Sequence, residues 1–458
     1  MDLSAARIAA LTGGAVSGAP DARATSYAND SRALRPGACF VALVAERDGH
    51  EFVADAFARG ATVALVGRDV GAPRDGALVV VDDPLAALAR LAAAVRAEQP
   101  DLTVVGITGS AGKTATKDLT AAALAGARAV SASPGSFNNE AGLPLTLLGA
   151  PVGTEVVVAE MGARFPGNIA DLCAIARPRV GVVTHIGLSH AEHLGGREGI
   201  ARTKGELVEA LPDTGYAVLN ADDDTTPGLA ARTSAGVVTV GEAPTADVVV
   251  RSLRLDAGLR PTFTLESPWG AATVTLGLRG AHQACNAAMG VTVALLLGVP
   301  IDVAVADLGT TTTADWRMEL LEAPGGIVVL NDAYNASPSS MQASLRAFGA
   351  LPVTGRRIAV LGDMLELGEC GEAEHARVGE LAAAVGVDLL VTVGTLSRGA
   401  VVAAGEAGIE ALAATDRDDA RAILAATLRP GDAVLVKASR AVGLEVIAGA
   451  LARGELVA

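Results

Sequence analysis

The residues best able to do chemistry form one run: Val104, Val105, Gly106, Ile107, Thr108, Gly109, Ser110, Ala111, Gly112, Lys113 and Thr114. An apolar β-like stretch enters a glycine turn that ends in Gly-Lys-Thr and opens a helix. Small residues let successive backbone N–H groups point inward at a phosphate, and the helix N-terminus adds favourable partial charge. In such a turn Lys113 holds the β and γ phosphates of a nucleotide, and the Thr114 hydroxyl binds Mg²⁺. The longer form of the motif wants glycine at Ile107, so the match is to a shortened GxxGKT form. The bland alternative is a plain strand-to-helix turn.

Residues 155–162 (EVVVAEMG) place Glu160 at the C-terminal end of an apolar strand, the end at which open α/β sheets bind ligands. A carboxylate there suits Mg²⁺, which takes oxygen ligands and its substrate's phosphates; without its neighbours it would read as an exposed loop acid. Residues 183–194 carry His185, His190 and His193, three of the six histidines. Their spacing suits no zinc pair on one regular helix face. At another strand end they are either satisfied polar groups or the source of one Mg²⁺ ligand. By composition Lys204, in Thr203-Lys204-Gly205-Glu206, is an ordinary helix-surface lysine.

Such residues need a scaffold, and the pattern around them supplies one. Residues 102–108, 155–159, 180–184 and 216–220 are apolar β runs separated by helical segments, the alternation of a mostly parallel sheet covered by helices. Between 248 and 278 the period becomes two, with Pro and Gly turns, as antiparallel strands require. A helix from 282 to about 297 closes the section. Upstream, residues 1–83 mix short β runs at 39–44 and 62–66 with a helical stretch at 52–59. Asp83 and Pro84 then read as an N-cap and a first-turn proline, and Leu85, Leu88, Leu91 and Val95 recur at helical spacing. After residues 310–313, β runs at 327–330, 358–361, 389–393 and 433–436 alternate with helices as a second doubly wound unit. The expected fold class is α/β in three domains: a small α/β unit at 1–83, a mostly parallel phosphate-loop sheet with an antiparallel addition at 84–313, and a Rossmann-like unit at 314–458.

Composition agrees with this division. A chain of 458 residues exceeds one ordinary core, since domains hold about 100–200 residues. With 50% hydrophobic and 19% charged residues, disorder is disfavoured over most of the length. A formal charge of -15 disfavours nucleic acid and anionic lipid as partners. An anionic substrate must then be held by local Lys and Arg and by metal ions. No stretch approaches the roughly 20 apolar residues of a membrane span, and no basic leader precedes an apolar run, so a cytoplasmic location is expected. Cys39, Cys173, Cys285 and Cys370 form no CxxC pair. That argues against a zinc site or a disulfide framework and for small buried apolar groups.

Together these residues resemble the Mur ligases, which join amino acids to UDP-muramoyl intermediates of cell-wall peptidoglycan, and the similarity extends over nearly the whole chain. The resemblance implies that Glu160 and His190 bind metal. It also implies that Lys204, fourteen residues after His190, is carbamylated, which turns a cation into a carboxylate-like Mg²⁺ ligand. Further matches are Asp30-Ser31-Arg32 with Asp48-Gly49-His50, residues 136–144 (SFNNEAGLP), Tyr334-Asn335-Ala336-Ser337-Pro338 with Ser340-Met341, and residues 361–368 (LGDMLELG). They point to the member that adds D-alanyl-D-alanine, and the Asp-Asn-Pro-Arg sequence by which the neighbouring tripeptide-forming ligase recognises diaminopimelate is absent.

By the same resemblance the first domain binds the UDP end of the substrate, with Ser31 and Arg32 near the uridine. Asn138 and Asn139 lie near its phosphates or sugar, Tyr334 and Asn335 bind substrate, Asn286 faces adenine, Asp332 the ribose hydroxyls and Arg317 the γ-phosphate. Two positions depart from the family pattern: His185 stands where Asn is frequent, and Asn331 precedes Asp332 where an acidic pair is common. Taken alone, Arg317 and Asp332 would read as surface ion-pair residues, and Asp-Ser-Arg as a plain turn.

The implied reaction joins D-alanyl-D-alanine to UDP-N-acetylmuramoyl-tripeptide through an acyl phosphate, with ATP, two Mg²⁺ ions and a monomeric enzyme. Competing readings are a sister ligase with another amino acid or a folate- or cyanophycin-type substrate, and a phosphate-loop kinase or nucleotide-gated binding protein. The last leaves the first domain and the Lys204 segment without a role.

Overall fold

The computed structural model describes residues 1–312 and 314–456; the domain boundary expected at Thr313 lies outside them. Three α/β units are present, each built on its own sheet. The central sheet has nine strands, in the spatial order Gly270–Thr275, Pro261–Ser267, Val248–Leu255, Gly236–Gly241, Tyr216–Asn220, Val180–Val183, Thr103–Thr108, Val156–Glu160 and Val130–Ala132. All pairings are parallel except the two that build the outer hairpin strands. Parallel strands covered on both faces read as continuous apolar runs, and Val156–Glu160 and Val180–Val183 are buried at every position.

The Thr103–Thr108 strand is the pivot of this order. From it the chain runs outward to Val130–Ala132, returns to Val156–Glu160 beside it, and then crosses to Val180–Val183 on its other side. Such a reversal opens a crevice at the carboxyl ends of the strands, where ligands of open α/β sheets bind. Register sets Glu160 beside Ile107 and Val183 beside Thr108. The glycine turn, Glu160 and the histidine-bearing segment therefore all leave the sheet at the same edge.

In the first unit a five-stranded sheet runs in the order Ala15–Gly18, Ala77–Val80, Ala61–Val66, Ala38–Val41 and Ser26–Ala28. Asp83 caps the Pro84–Ala97 helix as expected, accepting from the N–H of Leu85 at 2.8 Å and of Ala86 at 3.2 Å; such a cap contributes about 1 kcal/mol. Leu88, Leu91 and Val95 of this helix share a core with Leu143, Leu147 and Leu172 of the Gly142–Gly149 and Asn168–Ala176 helices. Ile8, Val41 and Leu65 join the same core, which fastens the first unit to one face of the central sheet.

The third unit is a six-stranded sheet in the order Glu319–Ala323, Ile327–Asn331, Ala433–Lys437, Arg357–Gly362, Leu389–Val393 and Glu410–Ala414, parallel except for the first strand. It meets the central unit partly through Leu259. This residue lies in the turn between the Val248–Leu255 and Pro261–Ser267 strands and is fully buried in one core with Met318, Leu330 and Met341. All four cysteines are free thiols; Cys39 and Cys173 are buried, whereas Cys285 and Cys370 are only half-buried, which corrects the expectation that all are interior. Among the described residues no helix is long and apolar enough to cross a membrane.

Candidate active site

At the crevice, residues 109–112 link the Thr103–Thr108 strand to the Lys113–Ala125 helix. The turn holds its shape by contacts with the next strand: Ser110 N–H donates to His185 O at 2.7 Å, Ser110 Oγ to Gly187 O at 2.7 Å, and Thr184 Oγ1 to Ala111 O at 2.6 Å. Glycine is required at two points. Gly109 has φ +147°, and a Cβ there would lie 1.9 Å from Thr184 Oγ1; Gly112 has φ +83°, and its Cβ would lie 2.7 Å from Asn286 Oδ1. Backbone at the first of these is open almost to glycine alone. Gly109→Ala should therefore abolish nucleotide binding, read by calorimetric titration with ADP, and lower the melting temperature; unaltered ADP affinity would show that the turn is not the phosphate cradle.

A cavity of about 1190 Å³ opens over this turn. Lys113 reaches back to Gly109 O at 2.8 Å, and burial lowers its pKa from the ordinary lysine value. Thr114 Oγ1 donates to Glu160 Oε2 at 2.8 Å, and Asn138 Nδ2 donates to Glu160 Oε1 at 2.8 Å. Glu160 is 1% exposed. A hydroxyl and a buried carboxylate in contact at the phosphate end of the turn are an oxygen donor pair that suits Mg²⁺, which keeps water and substrate phosphates for its remaining positions. The residues present thus fit the ion, although among the described residues no cluster of three His, Cys, Asp or Glu forms a self-sufficient metal cage.

The three histidines diverge. His185 Nδ1 pairs with Asp223 Oδ2 at 3.0 Å, and His193 packs against Phe165 with ring centroids 5.4 Å apart and planes tilted by 45°. Burial alone would raise the Asp223 carboxyl, but hydrogen bonds from His185, Ile186 N–H and Thr225 hold it below the usual carboxylate range. His190 lines the cavity and turns Nδ1 to Glu366 of the third unit. Lys204 also lines the cavity from the Gly196–Glu209 helix. It is not the surface residue its composition suggests: it is 1% exposed. Burial, and then repulsion from Lys113, holds its amine well below the ordinary lysine value.

From the third unit comes Arg317, whose Nη2 donates to Ser136 Oγ at 3.1 Å and whose guanidinium lies 3.9 Å over the Tyr334 ring. Its Nε is buried without a partner among the described residues. Asp332 is held on both oxygens: Oδ1 accepts from Met318 N–H at 3.0 Å, and Oδ2 from Ser344 Oγ and Lys437 Nζ, each at 2.5 Å. Asn286 lies against Gly112 and donates to Gln283 Oε1 at 2.9 Å. Asn139 accepts from Gly142 N–H at 2.9 Å at the start of the next helix, and Asn335 from Ala336 N–H at 2.9 Å.

Arg317, Asp332, Asn286, Asn139 and Asn335 line the same cavity as Lys113, Glu160, His190 and Lys204, whereas Gly109 and His193 do not line it. Nor do Ser31 and Arg32; they lie in the first unit, where Ser31 is buried and Arg32 grips Asp30 through Nε at 2.9 Å and Nη2 at 2.8 Å. Two residues of the site were given no role from sequence, although Ser136 opens the matched stretch 136–144. Ser136 is the hub where Thr114, Arg317 and Tyr334 meet, the last donating at 3.0 Å. Lys437 is a buried lysine that ends the apolar Ala433–Lys437 strand, a position that could have marked it.

Comparison with known proteins converges on one family. Residues 107–294 match the Mur ligase middle domain and residues 316–440 the Mur ligase, glutamate ligase domain. The chain is 43% identical to the UDP-N-acetylmuramoyl-tripeptide--D-alanyl-D-alanine ligase of Mycobacterium tuberculosis, with 98% of both chains covered. Its fold superposes on a MurF crystal structure from Acinetobacter baumannii with a TM-score of 0.88, at 30% identity over 99% of each chain. On a Thermotoga maritima MurF ligase in complex with ADP the TM-score is 0.78, at 31% identity over 94% of this chain and 97% of that one. The chain therefore belongs to the Mur ligase family.

Proposed function

We propose that this chain uses ATP to join D-alanyl-D-alanine to UDP-N-acetylmuramoyl-tripeptide, releasing ADP and phosphate. Residues 1–83 bind the UDP end of the acceptor, with Ser31 and Arg32 near the uridine. Residues 84–313 hold ATP on the glycine turn, and residues 314–458 bring Arg317 and the dipeptide side of the site. The observation that carries this reading is the meeting of Lys113, the Thr114–Glu160 pair, His190 and Lys204 with Arg317 of another unit around one cavity. The enzyme works as a cytoplasmic monomer.

A carboxylate does not react with an amine until one of its oxygens becomes a leaving group. An oxygen of the tripeptide's terminal carboxylate first attacks the γ-phosphorus of ATP, and ADP departs. The dipeptide amine then attacks the acyl carbon, expels phosphate and loses a proton. The first step brings two anions together, and fixed positive charge is its largest source of stabilisation. Lys113 from the central unit and Arg317 from the third neutralise the transferring phosphoryl group. Two Mg²⁺ ions, held by Thr114, Glu160, His190 and carbamylated Lys204, would supply further positive charge there. A lysine amine whose charged form is disfavoured by burial attacks CO₂ and loses all its protons but one to give that carbamate. Closure of the third unit excludes the water that would hydrolyse the acyl phosphate.

Purified chain incubated with ATP, UDP-N-acetylmuramoyl-tripeptide and either D-alanyl-D-alanine or single amino acids decides the amine. Equal amounts of ADP, phosphate and a dipeptide-extended product are expected. Extension by a single amino acid would make it a sister ligase. A stable phosphorylated product, or ATP turnover without dipeptide consumption, would make it a kinase or a switch.

A further inference from the structure

Seven non-glycine residues among those described have positive φ, and two of them face each other across the seam between the central and third units: His190 at +56° and Glu366 at +62°. Left-handed backbone in such residues is strained and persists where the surroundings over-determine it. Here they do. The loop that carries Glu366 is fixed on its own unit: Met364 N–H donates to His375 Nε2 at 2.9 Å, Leu365 N–H to Ser439 Oγ at 2.9 Å, and Leu367 is 4% exposed in the core. Across the seam, Glu192 N–H donates to Glu366 O at 3.2 Å, Arg164 Nη2 lies 3.8 Å from Glu366 Oε1, and His190 Nδ1 meets Glu366 Oε2.

We propose that Glu366 is a positioning residue for His190, an inference that rests on the reading of His190 as a metal ligand. The carboxylate accepts from Nδ1–H, which fixes the tautomer and leaves Nε2 as the lone-pair nitrogen of a ring that lines the cavity. A histidine that binds metal through one nitrogen is ordinarily oriented in this way by an acceptor on the other. The distinctive feature is where the acceptor comes from. Glu366 belongs to the third unit and His190 to the central one, so the ring is set for metal only while the third unit is seated. Closure thereby completes the metal side of the site as well as delivering Arg317.

The test uses full-length protein labelled with ¹⁵N-histidine, with Mn²⁺ and ADP as the probe. Glu366→Asn is too short to reach the ring yet tolerates left-handed backbone; Glu366→Gln keeps an acceptor oxygen. Two-bond ¹⁵N–¹H correlations should show the Nδ1–H tautomer for His190 in the wild type and in Glu366→Gln, and a tautomer mixture in Glu366→Asn. Half-saturating Mn²⁺, followed by its electron paramagnetic resonance signal, should rise about 10–100-fold in Glu366→Asn and less than about threefold in Glu366→Gln. Wild-type tautomer and wild-type Mn²⁺ titration in Glu366→Asn would overturn the proposal. A changed tautomer with an unchanged Mn²⁺ titration would instead overturn the metal role of His190 on which it rests.

Discussion

Arg317→Ala should lower turnover at least about a hundredfold while ADP and ATP still bind. On the proposed reading the nucleotide is held by the glycine turn, by Lys113 and by Thr114, all on the central unit, so its ground-state affinity should survive. Arg317 comes from the third unit, and its guanidinium has already been positioned by stacking on Tyr334 and by Ser136. Its Nε is buried without a partner among the described residues, and on the proposed reading the guanidinium meets negative charge that develops at the γ-phosphate. Removing one such preorganised donor costs about 10²–10³ in kcat, with little change in ground-state binding. Arg317→Lys should recover little, since a point charge cannot reproduce a planar fork stacked on an aromatic ring. The check is steady-state ADP release beside calorimetric titration of ADP. Near-normal turnover in Arg317→Ala would remove its role.

Lys204→Met should be comparably severe, and for a different reason. The substitution keeps the length and apolar stem of a side chain that is 1% exposed, but it removes the amine proposed to be carbamylated. Turnover should fall about 10²–10³-fold, the range for losing one electrostatic stabiliser of the transferring group. Melting temperature should hold or rise, because an ionisable group is expensive to bury and its removal relieves that cost. A merely structural lysine would give the opposite pattern, with stability lost and specific activity retained. Labelling with ¹³C-bicarbonate should add a carbamate resonance to the wild type that Lys204→Met lacks; the same spectrum from both would exclude the modification.

Much of this site could be read in the sequence because it is local. The glycine turn, its lysine and its threonine are contiguous, and the apolar strand before them fixes their orientation. Glu160 follows from the same logic, since a single acid ending a run of Val and Ala can only sit at a strand end. Lys204 was opaque on composition alone. Its burial is produced by residues folded around the Gly196–Glu209 helix, and nothing within a few positions of it reports that. The resemblance to a family, and not its neighbours, marked it out.

Contacts that join distant segments were the hardest to see. Ser136 meets Arg317 and Tyr334, which lie 181 and 198 residues further on, and Lys437 reaches Asp332 across 105 residues. The edge strands Glu319–Ala323 and Glu410–Ala414 escaped because one side of each is unpaired and their half-exposed residues include Glu and Ala, which break the apolar pattern. Central strands, buried on both faces, had no such ambiguity.

The most direct test of ligation through an acyl phosphate follows one oxygen atom. UDP-N-acetylmuramoyl-tripeptide carrying ¹⁸O in its terminal carboxylate should pass one labelled oxygen to the phosphate released with each amide bond formed, seen by mass spectrometry of that phosphate. Phosphate without label, formed in step with the amide product, would contradict transfer of the γ-phosphoryl group to the carboxylate.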